Sequence, residues 1–201
     1  MSNVTAADVK ALRAKTGAGM MDSKAALTEA DGDMDRAVEL LRVKGQASAA
    51  KRSDRGTSEG VVASYIHANK KVGAMVEVQC ETDFVARNED FSDFAYEVAM
   101  HVAAASPTVV SGDDIPEEEV AAERRIFEEK AREEDKPDKV IERIVEGQVA
   151  KWKKDVALLE QQHINVDKHD SKTIEQMREA LAAKVGENVV ISRFSVFRIG
   201  G

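Results

Sequence analysis

The sequence predicts an α+β chain. A bundle of three short helices is followed by a polar linker, then by a larger unit in which a small antiparallel sheet packs with helices. Three observations carry this prediction. Residues 1–45 hold three short helix patterns separated by glycine and aspartate breaks, the hydrophobic period switches from helical to alternating at Gly60, and alternation returns at Val189 after a series of helices. The implied organisation is residues 1–45, a linker at 46–59 and a core at 60–201.

In the first part, Thr5-Ala6-Ala7-Asp8 is a capping-box pattern, with a hydroxyl placed to accept an orphan amide and an acid to answer it. Val9 and Leu12 then share a face. Gly17 and Gly19 break this helix, a second runs from about Ser23 to Glu29, and Asp31-Gly32-Asp33 supplies a stop and a new N-cap. Met34, Ala37, Val38 and Leu41 stripe the third. Helices this short bury little apolar surface singly, so they must pack together. Gln46 to Glu59 lacks apolar periodicity and reads as the linker. Its cations Lys51, Arg52 and Arg55 fit a solvated hinge better than a nucleic-acid contact, because no aromatic is interleaved to stack on bases.

The core opens with two strand-like runs, Val61–Ile66 and Ala74–Cys80, joined through Asn69-Lys70 and Gly73. Ala74, Val76, Val78 and Cys80 fall on one side of the second run. Asn88 caps a helix whose inner face is Phe91, Phe94, Ala95, Val98 and Val102. From Asp113 to Asp135 there are 11 acidic and 4 basic residues, which describes a solvated helix with Val120, Phe127 and Ala131 as its thin apolar side, stopped at Lys136-Pro137. Ile141, Val145, Val149, Trp152, Val156 and Leu159 stripe a long amphipathic helix; a shorter one covers Thr173–Val185, and Val189–Ile199 closes the chain as a strand.

Composition narrows the function. The formal charge of −8 argues against a main role on nucleic acid. No apolar run is long enough to span a membrane and the first residues do not resemble a signal peptide, so a cytoplasmic protein is expected. No Gly is followed by Lys, so a P-loop is absent. His163 and His169 lie six apart around a loop, a spacing that matches no familiar zinc pattern, and no metal or cofactor is expected. Cys80 with His67 offers a thiol and a base on neighbouring strands, but alternation puts Cys80 on the apolar side, where it behaves as a small hydrophobe. Glu77, Glu81 and Asp83 sit near a strand end with nothing to pair them to a substrate, and His101 lies within a helix. No catalytic residue is expected.

One segment stands apart. Thr82-Asp83-Phe84-Val85 lies between the end of a strand and the start of a long helix, and Phe84 falls in the corner. Spacing alone favours a Phe that plugs the sheet against the helix; the alternative is an anchor entering a partner's pocket with Asp83 beside it.

Here the sequence becomes specific. The run Val76-Glu77-Val78-Gln79-Cys80-Glu81-Thr82-Asp83-Phe84-Val85-Ala86-Arg87-Asn88 resembles a signature of the bacterial elongation factor Ts family, with Gln79 where the family usually has Asn. Leu12-Arg13-Ala14-Lys15-Thr16-Gly17-Ala18-Gly19-Met20-Met21-Asp22-Ser23-Lys24-Ala25-Ala26-Leu27 resembles the other. The similarity continues through Lys136-Pro137 to Gln161 and to Gly186-Glu187-Asn188-Val189. The resemblance implies a nucleotide exchange factor for the GTPase EF-Tu, with a ubiquitin-associated-like (UBA-like) N-terminal bundle and an α+β core that dimerises. It implies that Thr82, Asp83, Phe84 and Val85 disturb the partner's Mg²⁺ site, and that Arg13, Met20, Met21 and Lys24 dock on its nucleotide domain. The chain is similar to short members with one copy of the core, for which a homodimer is expected. Two other classes stand beside this one: an adaptor binding ubiquitin-like or peptide ligands through the N-terminal bundle, and a cysteine-dependent enzyme.

Overall fold

The computed structural model describes residues 4–133 and 137–200. Glu134, Asp135 and Lys136, part of the expected end of the acidic helix, lie outside the described residues, as do Met1 to Asn3 and Gly201. The described chain is α+β and mostly helical, with one three-stranded antiparallel sheet. The strands are β1 (Glu59–Ile66), β2 (Val72–Cys80) and β3 (Val190–Arg198), with β2 in the centre. The β1–β2 connection is closed by the His67 amide donating to the Val72 carbonyl at 2.9 Å, with Lys70 in the left-handed region at φ 58°. Ala74, Val76, Val78 and Cys80 are all buried, as alternation requires.

The chain divides into two units. The first comprises Met1–Val62, Glu77–Ala95 and Gln176–Val190. It holds α1 (Ala6–Thr16), α2 (Met20–Glu29) and α3 (Met34–Ala50), whose core is Val9, Leu12, Ala26, Leu27, Ala30, Ala37 and Leu41. Local signals placed these helices. The Thr5–Asp8 capping box is formed, Gly17 ends α1 at φ 71°, and the Asp33 side chain accepts from the Arg36 amide. Two boundaries differ from expectation. Helix α2 starts at Met20, and α3 runs on through Ala50 into the segment read as linker. Residues 46–50 carry no apolar stripe but are rich in alanine, the best intrinsic helix former. Ala49 is buried, and the Gln46 amide donates to Glu179 at 3.1 Å. The one-turn helix α4 (Asp83–Ala86), the start of α5 (Glu89–Ala105) and most of α9 (Ile174–Val185) complete the unit.

The second unit comprises Ala63–Val76, Tyr96–Glu175 and Ile191–Gly201. Helix α6 (Glu117–Arg132) packs on α7 (Asp138–Val156) through Ala131, Ile141, Val145 and Val149, with Val120, Phe127 and Ile144 against them. Arg124 and Glu146 pair on the surface of this hairpin. The stripe in α7 predicts helix to Leu159, yet the helix ends at Val156. The amides of Leu158 and Leu159 donate instead to the carbonyls of Val109 and Val110, so an extended segment displaces the last helical turn. The one-turn helix α8 (Val166–His169) follows, leading into α9.

Candidate partner-binding site

The corner after β2 is built by Thr82. Its backbone is extended, and its hydroxyl accepts the Val85 amide at 3.5 Å as the N-cap of α4. Asp83 and Arg87 pair across the turn at 3.1 Å. Phe84 is 82% exposed. The plug that spacing favoured is therefore not formed; Phe91 and Phe94, seven and ten positions on, take the buried role. A large aromatic in water on a capped turn is open to contact by a partner.

Residues far away in sequence hold this corner. Glu187 accepts the amides of Glu81 and Thr82, each at 3.0 Å, and the Thr82 hydroxyl at 2.6 Å. The neighbouring Asn188 is buried. Its amide donates to the Glu81 carboxylate at 2.7 Å, and its side-chain nitrogen reaches the Ser53 and Arg55 carbonyls. The Asn188 amide, with the Arg55 guanidinium at 3.3 Å, holds the Glu81 carboxyl below its usual range. Glu187 and Asn188 were not singled out from the sequence as site residues. The available signal was two polar residues between Gly186, which turns the chain at φ 78°, and an apolar strand.

The second patch lies at the α1–α2 turn. Met20 and Met21 are 60% and 76% exposed, Lys24 is exposed, and the Arg13 side chain donates to the Ala18 carbonyl at 3.3 Å, folding over the glycine turn. Lys184 of α9 lies close to Gly17 and pairs with Asp90 in the first turn of α5 at 2.6 Å. Helix α9 thus touches both the turn that carries the methionines and the helix that follows the corner.

A third cluster, in the second unit, gathers residues the sequence left apart. His163 and His169 come within 4.3 Å, ring to ring; His169 Nε2 hydrogen-bonds to a Glu97 carboxylate oxygen at 3.2 Å, and His163 Nε2 hydrogen-bonds to the Glu97 main-chain carbonyl at 3.2 Å, with that same carboxylate oxygen 3.4 Å away. These three groups have a metal-like spacing. However, the Nδ1 of His163 accepts the Asn165 amide at 3.1 Å, which places the proton of the neutral ring on Nε2, the nitrogen an ion would need. His101 repeats the pattern, with Nδ1 accepting the Ile164 amide and Nε2 donating to Gln161. The cluster is a hydrogen-bonded hub. Burial lowers the pKa of both His101 and His163, and Glu97 lies below the usual carboxylate range: burial opposes this, but hydrogen bonds from Lys168 and His169 outweigh it. Cys80 is fully buried, and loss of solvation pushes its thiol up to about 11, so it is not a nucleophile at neutral pH.

The arrangement offers exposed apolar side chains on firmly held turns. The family described as Elongation factor TS matches residues 5–170. The chain belongs to the elongation factor Ts family. An elongation factor Ts of Solidesulfovibrio magneticus is 52% identical over 200 residues, covering 100% of this chain and 98% of that protein. One from Oleidesulfovibrio alaskensis is 49% identical over the full length of both, and one from Geobacter metallireducens is 49% identical, covering 98% of this chain and 90% of that protein. Membership in the elongation factor Ts family supports a role in translation elongation. Among the described residues, no helix is long and apolar enough to cross a membrane.

Proposed function

We propose that the chain is a cytoplasmic guanine nucleotide exchange factor that binds EF-Tu·GDP and promotes GDP release, so that GTP can bind. The observation that carries this reading is Phe84, exposed at the tip of a capped corner that four hydrogen bonds with Glu187 and Asn188 brace. Thr82, Asp83, Phe84 and Val85 enter the partner and shift the surroundings of its Mg²⁺. That ion demands near-ideal octahedral oxygen geometry, so a small displacement weakens its hold on nucleotide phosphate. Arg13, Met20, Met21 and Lys24 dock on the nucleotide domain and keep the wedge in register. Linkage makes the exchange reciprocal: the factor by which the chain loosens GDP is the factor by which GDP loosens the chain. No covalent chemistry is required.

Residues 1–45, with α3 continuing to Ala50, act as a UBA-like docking module, and residues 60–201 form the core that carries the wedge. The core pairs with a second copy of itself; Ile66, Met75, Phe197 and Ile199, all exposed on or beside the sheet strands, support this homodimer. No nucleic acid takes part. Release of fluorescently labelled GDP from EF-Tu tests the function: the chain should accelerate it, and an unchanged release rate would rule the function out. Sedimentation tests the dimer, with a monomer of full activity as the contrary result.

A further inference from the structure

The three hydrogen bonds of Glu187 all converge on the two residues that lead into α4. One carboxylate oxygen takes the Glu81 and Thr82 amides, and the other takes the Thr82 hydroxyl. Because that hydroxyl gives its proton to Glu187, its lone pairs are left for the Val85 amide, which is the cap of α4. The carboxylate therefore sets the rotamer that starts the helix bearing Phe84. A single turn has too few hydrogen bonds of its own to persist without such a cap.

We propose that Glu187 is the positioning residue for Phe84: it fixes the strand-to-helix corner so that the exposed ring is presented to the partner in one orientation. The inference rests on the reading of Phe84 as the inserted side chain. An anchor that is held before contact does not lose conformational freedom on binding, and a loosened one does. Removing the carboxylate leaves two corner amides without their acceptor and frees the Thr82 hydroxyl to turn away from Val85. Glutamine is a partial substitute. Its oxygen can still take the two amides and its nitrogen can donate to the Thr82 oxygen, which retains a lone pair for Val85.

The test is a double-mutant cycle on labelled-GDP release from EF-Tu, using the wild-type chain, Phe84→Ala, Glu187→Ala, the double variant and Glu187→Gln. Glu187→Ala should slow release roughly tenfold, the scale of lost charge-assisted hydrogen bonds. The double variant should be barely slower than Phe84→Ala alone, because the ring is the main group that the Glu187-held corner presents. Glu187→Gln should recover to within about threefold of wild type, and hydrogen exchange at the Thr82 amide should rise in Glu187→Ala but not in Glu187→Gln. Full activity in Glu187→Ala, or losses that add in the double variant, overturns the proposal. With Phe84→Ala impaired, either result strikes Glu187 alone; a Phe84→Ala chain as active as wild type removes the role of Phe84 and this inference with it. If Glu187→Ala melts without a cooperative transition, Thr82→Val takes its place in the cycle. It should lose about threefold, non-additively with Phe84→Ala, and no loss or an additive one overturns the proposal.

Discussion

Two glutamates, Glu187 in the first unit and Glu97 in the second, each gather three donors, and the donors differ in kind. Glu187 receives two backbone amides and a hydroxyl, none of which titrates near neutral pH. Glu97 receives Lys168 and His169 on its carboxylate and His163 on its main-chain carbonyl. Beside Glu187 a large aromatic stands in water, whereas beside Glu97 the rings of His101 and His163 are buried and stacked. The same charged group is used once to aim an exposed side chain and once to tie a loop down. The first arrangement should govern activity with little effect on stability, and the second the reverse.

The largest separation of the two roles is expected from Phe84→Ala. An exposed ring contributes almost nothing to folding, so its melting temperature should match wild type, while exchange falls by about 2–4 kcal/mol of binding energy, the hot-spot scale. Glu97→Ala should do the opposite. Loss of the shared acceptor should lower stability by about 2 kcal/mol in a denaturant melt, with exchange by the folded fraction preserved. A Glu97→Ala chain with normal stability and poor exchange would break the comparison.

A pH titration sharpens it further. Burial depresses the pKa of His101 and His163 in the folded chain below the ordinary 6.5, so the unfolded chain binds more protons in that range. Their contribution to stability is complete above about pH 6.5 and is lost as pH falls from there toward the lowered folded values. Protonating either ring also puts a hydrogen on an Nδ1 that now accepts a backbone amide. Glu97, with its lowered pKa, acts in a lower window: its share is present above the ordinary 4.5 and lost as pH falls below it. Melting temperature should therefore drop between pH 7 and 5.5, and His163→Phe should flatten that drop. The smallest effect is expected at Cys80→Ala, where removal of a buried sulfur costs about 1 kcal/mol and leaves exchange unchanged. The native thiol should also resist alkylation.

The sequence made the first three helices and the sheet legible because their signals are local. A threonine and an aspartate three apart build a cap, and alternation over Ala74 to Cys80 fixes which face is buried. What it concealed depends on distant contacts. Glu187 lies 105 positions from Thr82, and no spacing rule joins them. His163 and His169 share a site because the single turn of α8, which ends at His169, folds the chain back, a geometry that neither helical nor strand periodicity anticipates. Phe84 shows the limit most clearly. Spacing alone favoured a plug over an anchor, and its exposure rules the plug out.

The central claim, that an exposed, braced Phe84 is the working part, is tested most directly by labelled-GDP release from EF-Tu with the wild-type and Phe84→Ala chains at equal folded concentration. The account predicts fast release with the first and strongly slowed release with the second, at matched melting temperatures. Equal rates from the two chains would contradict it.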